Sequence, residues 1–342
     1  MSNLAAKKRS RIKRSRPKAA KKSKAINTMP LYIVLVIVFI GYFLLQNVAS
    51  FAVILGALIF FLIIAILVLE ISNGFREEGY KKNTIEIIVA IGIVLIIWVL
   101  LRVVLNTPYP LDVVPSCSML PVLNRGDMIL LQGVNKNNMV APVVNVTSSE
   151  WNQSFANVNT EALQCVAYNQ TPNGVKLSQI MQQGYSIGLL ADNGGNEQII
   201  SPSKQNGLLK YTCGLVGLKL QNGTVESEVS TTAITIANTT ITGDKNNSII
   251  VYQTSPQDEF YKLGDSYIVH RVYALVNVSG TYYSLTKGDN NPGLDVQFFN
   301  TPANISQIGG KVIGSVPYIG YLKLILSNNF VEPTGCNYTT EN

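Results

Sequence analysis

Apolar residues are spread unevenly along this chain of 342 residues, and the unevenness defines three blocks: a basic polar start, a stretch of long apolar runs, and a region of short alternating runs. From Leu31 to Leu69 there is no charged residue, about twice what one bilayer crossing needs. The polar pair Gln46-Asn47 splits that run and predicts two helices, about 31–49 and 51–71, joined by a very short turn. A third run, 87–105, is interrupted only by Arg102 near its end, where a long side chain can snorkel to the interface. The first run is too long for a secretory signal peptide, and no small-residue cleavage site precedes the second, so all three segments are expected to stay as transmembrane helices within 30–105.

Beyond Asn106 the pattern changes to short runs rich in Val, Ile, Tyr and Thr between Gly, Asn and Pro clusters. Examples are Met128 to Val134, Ala233 to Ala237, Ser248 to Gln253, Ser266 to Val278, Tyr282 to Thr286 and Lys311 to Val316. This spacing predicts a mainly β domain. Residues 135–245, rich in Asn, Gln, Thr and Ser, read as a β-rich inserted subdomain, which leaves 106–134 and 246–326 as the main β domain and 327–342 as a C-terminal tail. The apolar segment Tyr318 to Leu326 contains Lys323 and is too short to cross a bilayer, so it is expected to pack on the core or lie at an interface.

Charge adds an orientation. Eleven Lys or Arg residues lie between Lys7 and Lys24, so of the net +7 the remainder of the chain carries 7 − 11 = −4. A block of like charge without apolar periodicity cannot bury enough surface to fold, and residues 1–29 are read as a disordered cytosolic tail that suits anionic lipid headgroups. The same charge would neutralise RNA phosphates, but nothing downstream supports a nucleic-acid partner. Arg76, Lys81 and Lys82 place the second connection, Asn73 to Thr84, in the cytosol as well, so three crossings put everything after Leu105 outside. All nine Asn-x-Ser/Thr triplets, from Asn145 to Asn337, fall on that side and predict a glycoprotein, although an Asn- and Thr-rich domain also generates such triplets by chance.

Four cysteines lie there too, where disulfides persist. Cys165 with Cys213 is the favoured pair, because Cys117 sits inside the motif below and Cys336 near a terminus expected to be loose. No cysteine spacing resembles a metal site, and no cofactor is expected.

The candidate chemistry is concentrated at three places. Thirteen residues after Leu105 comes Ser118, within Val114-Pro115-Ser116-Cys117-Ser118-Met119-Leu120-Pro121, followed by Arg125-Gly126-Asp127. The single histidine, His270, lies in the strand-like run Tyr267-Ile268-Val269-His270-Arg271-Val272. The strand Tyr282 to Thr286 then runs into the turn-rich Lys287-Gly288-Asp289-Asn290-Asn291-Pro292-Gly293-Leu294-Asp295. Each has a bland reading: a serine in a turn, a packed histidine, an Asx turn.

Together and in this order, S-x-S-M-x-P with G-D, then I-V-H-R-V, then K-G-D-N-N with an aspartate six residues after the first, resemble the boxes of type I signal peptidases of the archaeal and endoplasmic-reticulum kind. The likeness covers about half of the outer domain and extends to Gly310 to Gly320. It implies that Ser118 is the nucleophile, His270 the general base and Asp295 the third member. The family's last box usually ends in two adjacent carboxylates. Here it reads Leu294-Asp295, so Asp289 becomes a supporting or turn-forming residue. The resemblance further implies secretory preproteins as substrates, small residues such as Ala before the scissile bond, and proximity to the translocation channel. The long insertion and the three helices depart from the family pattern.

The residue types suit that chemistry independently. A serine hydroxyl needs a neighbouring base to take its proton, an imidazole ordinarily near pKa ~6.5 can do so, and a carboxylate then orients and stabilises the imidazolium. The backbone N–H of Ser118 and the hydroxyl of Ser116 are the candidate donors to the oxyanion. The location expected is a cell membrane, with the endoplasmic reticulum as the alternative. Two other readings remain: a Ser/Lys peptidase with Lys245, Lys262 or Lys287 as base, and a non-catalytic glycosylated surface or assembly module.

Overall fold

The computed structural model describes residues 26–155, 176–200 and 209–341, apart from positions 47, 78–79, 183–184, 194–195, 330 and 334. Most of the basic tail, Cys165 and the triplet at Asn169 lie outside the described residues.

Three apolar helices come first: α1 (Met29–Leu45), α2 (Ala49–Glu77) and α3 (Tyr80–Val104). α2 and α3 are long and apolar enough to cross a membrane. The 17 residues of α1 span roughly 25 Å at ~1.5 Å per residue, a little less than a hydrocarbon core of ~30 Å. The loop expected at Asn73 to Thr84 is instead largely helical, because its polar residues are bonded where they stand. Asn73 exchanges hydrogen bonds with the backbone of Ile26, and Asn83 Nδ2 donates to Ile71 O. Hydropathy marks where lipid contact stops; the backbone ladder continues past that point.

The end of α1, the start of α2 and the end of α3 all meet the β domain. Tyr42, Ala52 and Ile59 pack with Tyr318, and the Tyr42 hydroxyl donates to Pro317 O. At α3, Gly133 N donates to Leu105 O at 2.8 Å, and Thr107 Oγ1 donates to Gly309 O at 2.6 Å. The third helix therefore enters the β domain without slack.

Among the described residues, the following strands and longer helices come next in chain order. They are β1 (Leu111–Val113), β2 (Met128–Gln132), β3 (Val143–Val146), α4 (Ser148–Phe155), β4 (Lys176–Gln182), β5 (Tyr185–Asn193), β6 (Asn196–Ile200), β7 (Leu209–Leu220), β8 (Val225–Ile236), β9 (Thr239–Thr242), β10 (Ile249–Gln253), β11 (Tyr267–Val278), β12 (Thr281–Lys287), β13 (Ala303–Asn304), β14 (Ile308–Val316) and β15 (Tyr338–Glu341), with helix α5 (Tyr321–Leu326) before the last. The main sheet runs β1-β2-β14-β10-β11-β12-β13, and β3 adds to β11 in parallel. Its centre is β11, whose twelve residues are buried almost throughout. Alternation along the strands splits their side chains between two cores. Val251 and Val269 pack with Val114, Met119, Ile129 and Leu131, whereas Ile250, Tyr252, Ile268 and Val272 form the core on the other face. Burying each such side chain is worth about 1.5–3 kcal/mol.

The second sheet, β15-β7-β8-β9, packs on the first through Ile234, Ile236 and Ile241 against Tyr273, Ala274 and Val276. The third is the meander β4-β5-β6. Residues 135–245 thus supply one strand to the main sheet as well as these additions, and 327–342, read from sequence as a tail, contains a strand paired to β7. In α5 the side chain of Leu324 is buried, while those of Ile325 and Leu326 are exposed.

Candidate active site

Strand register brings the polar groups together. β11 pairs with β10 so that His270 faces Ile250, and with β12 so that Val272 faces Thr286. Period-two alternation then puts His270, Tyr252 and Thr286 on one face. Lys287 ends β12 and bridges back to Leu294, and this turn delivers Asp295, at the start of a 3₁₀ turn, beneath the imidazole.

His270 Nδ1 lies 2.8 Å from each carboxylate oxygen of Asp295. The hydroxyls of Tyr252 and Thr286 both donate to Asp295 Oδ2, at 2.8 and 2.6 Å. A carboxylate only accepts, so the network assigns a proton to Nδ1 and leaves the Nε2 lone pair free to accept. Nε2 lies 3.0 Å from Ser118 Oγ. His270 and Asp295 are 3% and 2% exposed, so this polar chain is shielded from water until it reaches the half-buried serine. Burial, then the charge of Asp295, raises the Tyr252 phenol well above its ordinary value, so it keeps the proton it donates.

Ser118 comes from the opposite side, on the loop between β1 and β2. Ser116 Oγ is 3.2 Å from Ser118 Oγ. Asn290 N donates to Ser118 O at 2.8 Å, and a Cβ on Gly288 would meet that same oxygen at 2.7 Å, so glycine is required for the two loops to approach. Asp289 does not serve His270. Its carboxylate receives Arg271 Nε and Nη2 at 2.8 and 2.7 Å, and Arg271 Nη1 donates to Lys245 O and Asn247 O.

Behind this face a cavity of about 420 Å³ lies between the main sheet and the second one, lined among others by Arg271, Tyr273, Lys287 and Thr340. Burial lowers Lys287 from 10.5 to about 8, against the opposing pull of Asp289, Asp295 and Glu228. It is also burial that raises the carboxyl of Asp127, which accepts from the backbone of Asn124 and Tyr318.

The five residues singled out in the sequence therefore fall in one place, with Ser118, His270 and Asp295 in a continuous line, Ser116 beside the serine and Asp289 on the arginine. Sequence reasoning missed Tyr252 and Thr286. Thr286 ends the strand that runs into the last box, but Tyr252 lies in an ordinary β run and carries no signal of its own.

The disulfide differs from expectation. Cys117 is joined to Cys336, with Cα atoms 5.0 Å apart, although these were the two set aside on sequence. The supposedly loose terminus is folded back against the serine loop. Cys117, Cys336 and Glu332 converge, but the disulfide leaves no thiolate there for a metal.

No family model matches the chain, and no solved structure matches it. Among curated proteins it is similar to the signal peptidase complex catalytic subunit SEC11 of Chaetomium globosum, with 35% identity over 65 residues, or 18% of this chain. The match spans 38% of the length of that relative. It indicates a relationship to signal peptidases, and the N-terminal apolar helices indicate a membrane protein.

Proposed function

We propose that the chain is a membrane-anchored serine endopeptidase that removes signal peptides from secretory preproteins, with Ser118 as nucleophile, His270 as general base and Asp295 orienting the imidazole. The observation that carries this reading is the unbroken run from Ser118 Oγ to His270 Nε2 at 3.0 Å and from His270 Nδ1 to Asp295 at 2.8 Å. In the reaction Ser118 Oγ bonds to the scissile carbonyl carbon while its proton passes to Nε2. The tetrahedral intermediate collapses with cleavage of the C–N bond, and the imidazolium returns the proton to the leaving amine. Water then hydrolyses the Ser118 ester with His270 again as base. The Ser118 N–H and the Ser116 hydroxyl serve the oxyanion, each such donor being worth about 3–4 kcal/mol.

The helix ends support the proposed location. The serine side of the β domain is tied to the ends of α1 and α3 opposite Arg76, Lys81 and Lys82, which supports a cytosolic N-terminus and a catalytic domain on the far side of the membrane. A protein so tethered meets bonds just outside the lipid, in substrates emerging from a translocation channel.

A preprotein cleavage assay tests the reading: Ser118→Ala and His270→Ala are each expected to lose at least a thousandfold in kcat. The wild-type rate should also fall on the acid side, because only a neutral imidazole accepts the serine proton. Lys287 is the competing base, since its amine is lowered to about 8. It pairs with Arg271 across the strands, on the cavity side rather than beside Ser118. Cleavage retained in His270→Ala would transfer the role to a lysine. An intact preprotein with wild-type enzyme would favour a non-catalytic surface module.

A further inference from the structure

Building on the peptidase reading, we propose that the C-terminal residues Asn329, Gly335, Cys336, Tyr338 and Thr340 belong to the apparatus that positions Ser118, and that Asn290 is the positioning residue through which they act. Three ties converge on the few residues before and at the nucleophile. Arg125, 7% exposed, donates from Nε to Pro115 O at 3.0 Å and from Nη2 to Asn329 O at 2.8 Å. The disulfide links Cys117, the residue immediately before Ser118, to Cys336 across 219 positions of sequence. Asn290, 2% exposed, completes the set.

The bonding of Asn290 explains why an amide stands there. Its backbone N–H holds Ser118 O at 2.8 Å. Its two Nδ2 hydrogens are shared among Cys117 O at 3.2 Å, Gly335 O at 3.0 Å and Tyr338 O at 3.1 Å. Its Oδ1 accepts from Thr340 N at 2.7 Å and Thr340 Oγ1 at 3.1 Å. Only a side chain with both donors and an acceptor can face three carbonyls and an N–H at once. β15, paired to β7 over Tyr338–Glu341, fixes the far end of the segment to the second sheet. The serine backbone is thereby referred to the second sheet, which contains none of the reacting groups, while His270 stands on the main sheet and Asp295 ends the turn that carries Asn290.

The test uses the full chain in detergent and a peptide with alanine before the scissile bond, with active sites counted by a serine-directed fluorophosphonate. Asn290→Ala and Cys336→Ser are each expected to lower kcat per counted site roughly 10- to 100-fold, since a displacement of about an ångström costs that much, with KM within about twofold and the acid limb of the pH profile unmoved. Because both act through one segment, the double variant should lose less than the product of the single losses. Reduction of the folded wild type gives the same readout without substitution, and kcat should recover on reoxidation. A kcat per counted site equal to that of untreated wild type, in both variants and in reduced protein with two free thiols, overturns the inference while Ser118-dependent cleavage leaves the peptidase reading standing. Cleavage that persists in Ser118→Ala overturns both.

Discussion

The two halves of the candidate site are held in different ways. His270 and Asp295 are fixed by strand register: β10, β11 and β12 put Tyr252, His270 and Thr286 on one face, and the turn after β12 delivers the carboxylate. Ser118 has no strand of its own. It rides on a loop that takes its position from partners at Asn290, Cys336 and, through Arg125, Asn329. The His270–Asp295 half is thus buried and built around one sheet, with the turn that carries Asp295 also tied to β8 through Thr231 and Pro292, whereas the Ser118 half is assembled from segments far apart in the chain and is only half-buried.

Perturbing the acid–base half should therefore change the chemistry and leave the loop in place. The largest effect is expected for Asp295→Asn, which offers an amide N–H where Nδ1 needs an acceptor and favours the wrong tautomer: kcat should fall about 10⁴-fold, with Cys117–Cys336 still formed by thiol titration. Lys287→Met should stabilise the fold at neutral pH by on the order of 2–3 kcal/mol, because the amine is buried and lowered to about 8. The sign fixes the window. Between about 8 and 10.5 the unfolded chain holds a proton that the folded chain has lost, so wild-type stability rises with pH there. The advantage of the methionine variant should be full below pH about 8 and vanish above about 10.5; denaturant melts at several pH values measure it. The smallest effect is expected for Tyr252→Phe, which removes one of two hydroxyls from Asp295 Oδ2: a loss of about 1.5–3 kcal/mol, or roughly 10- to 100-fold in kcat, with KM unchanged. A similar loss in KM rather than kcat would mean that Tyr252 acts on the loop after all, and the contrast between the halves would dissolve.

The same contrast explains what could be read in advance. Ser118, His270 and Asp295 could be singled out because each sits in a short box whose residue types carry chemistry, and the strands around them show the period-two and β-branched patterns that local sequence preserves. Tyr252 looks like any other core residue of a β run, since its partner lies 43 positions away. The pairing of Cys117 with Cys336 rests on β15 adding to β7 and on Asn290 joining both loops, none of which a local pattern encodes. The parallel contact of β3 with β11 is long-range in the same sense. Among the helices, the apolar runs gave number and order, but not bounds, because Asn73 and Asn83 are satisfied by partners on other segments.

The bonds from Gly133 to Leu105 and from Thr107 to Gly309 leave no play between the last helix and the first strands. On the proposed peptidase reading, that stiffness would work as a depth gauge. The height of the hydroxyl above the lipid would then be set by the protein, so the bond cut would depend on how far a substrate's own helix protrudes as well as on its residues. A few glycines inserted at Asn106 would blur the gauge and spread cleavage over neighbouring bonds.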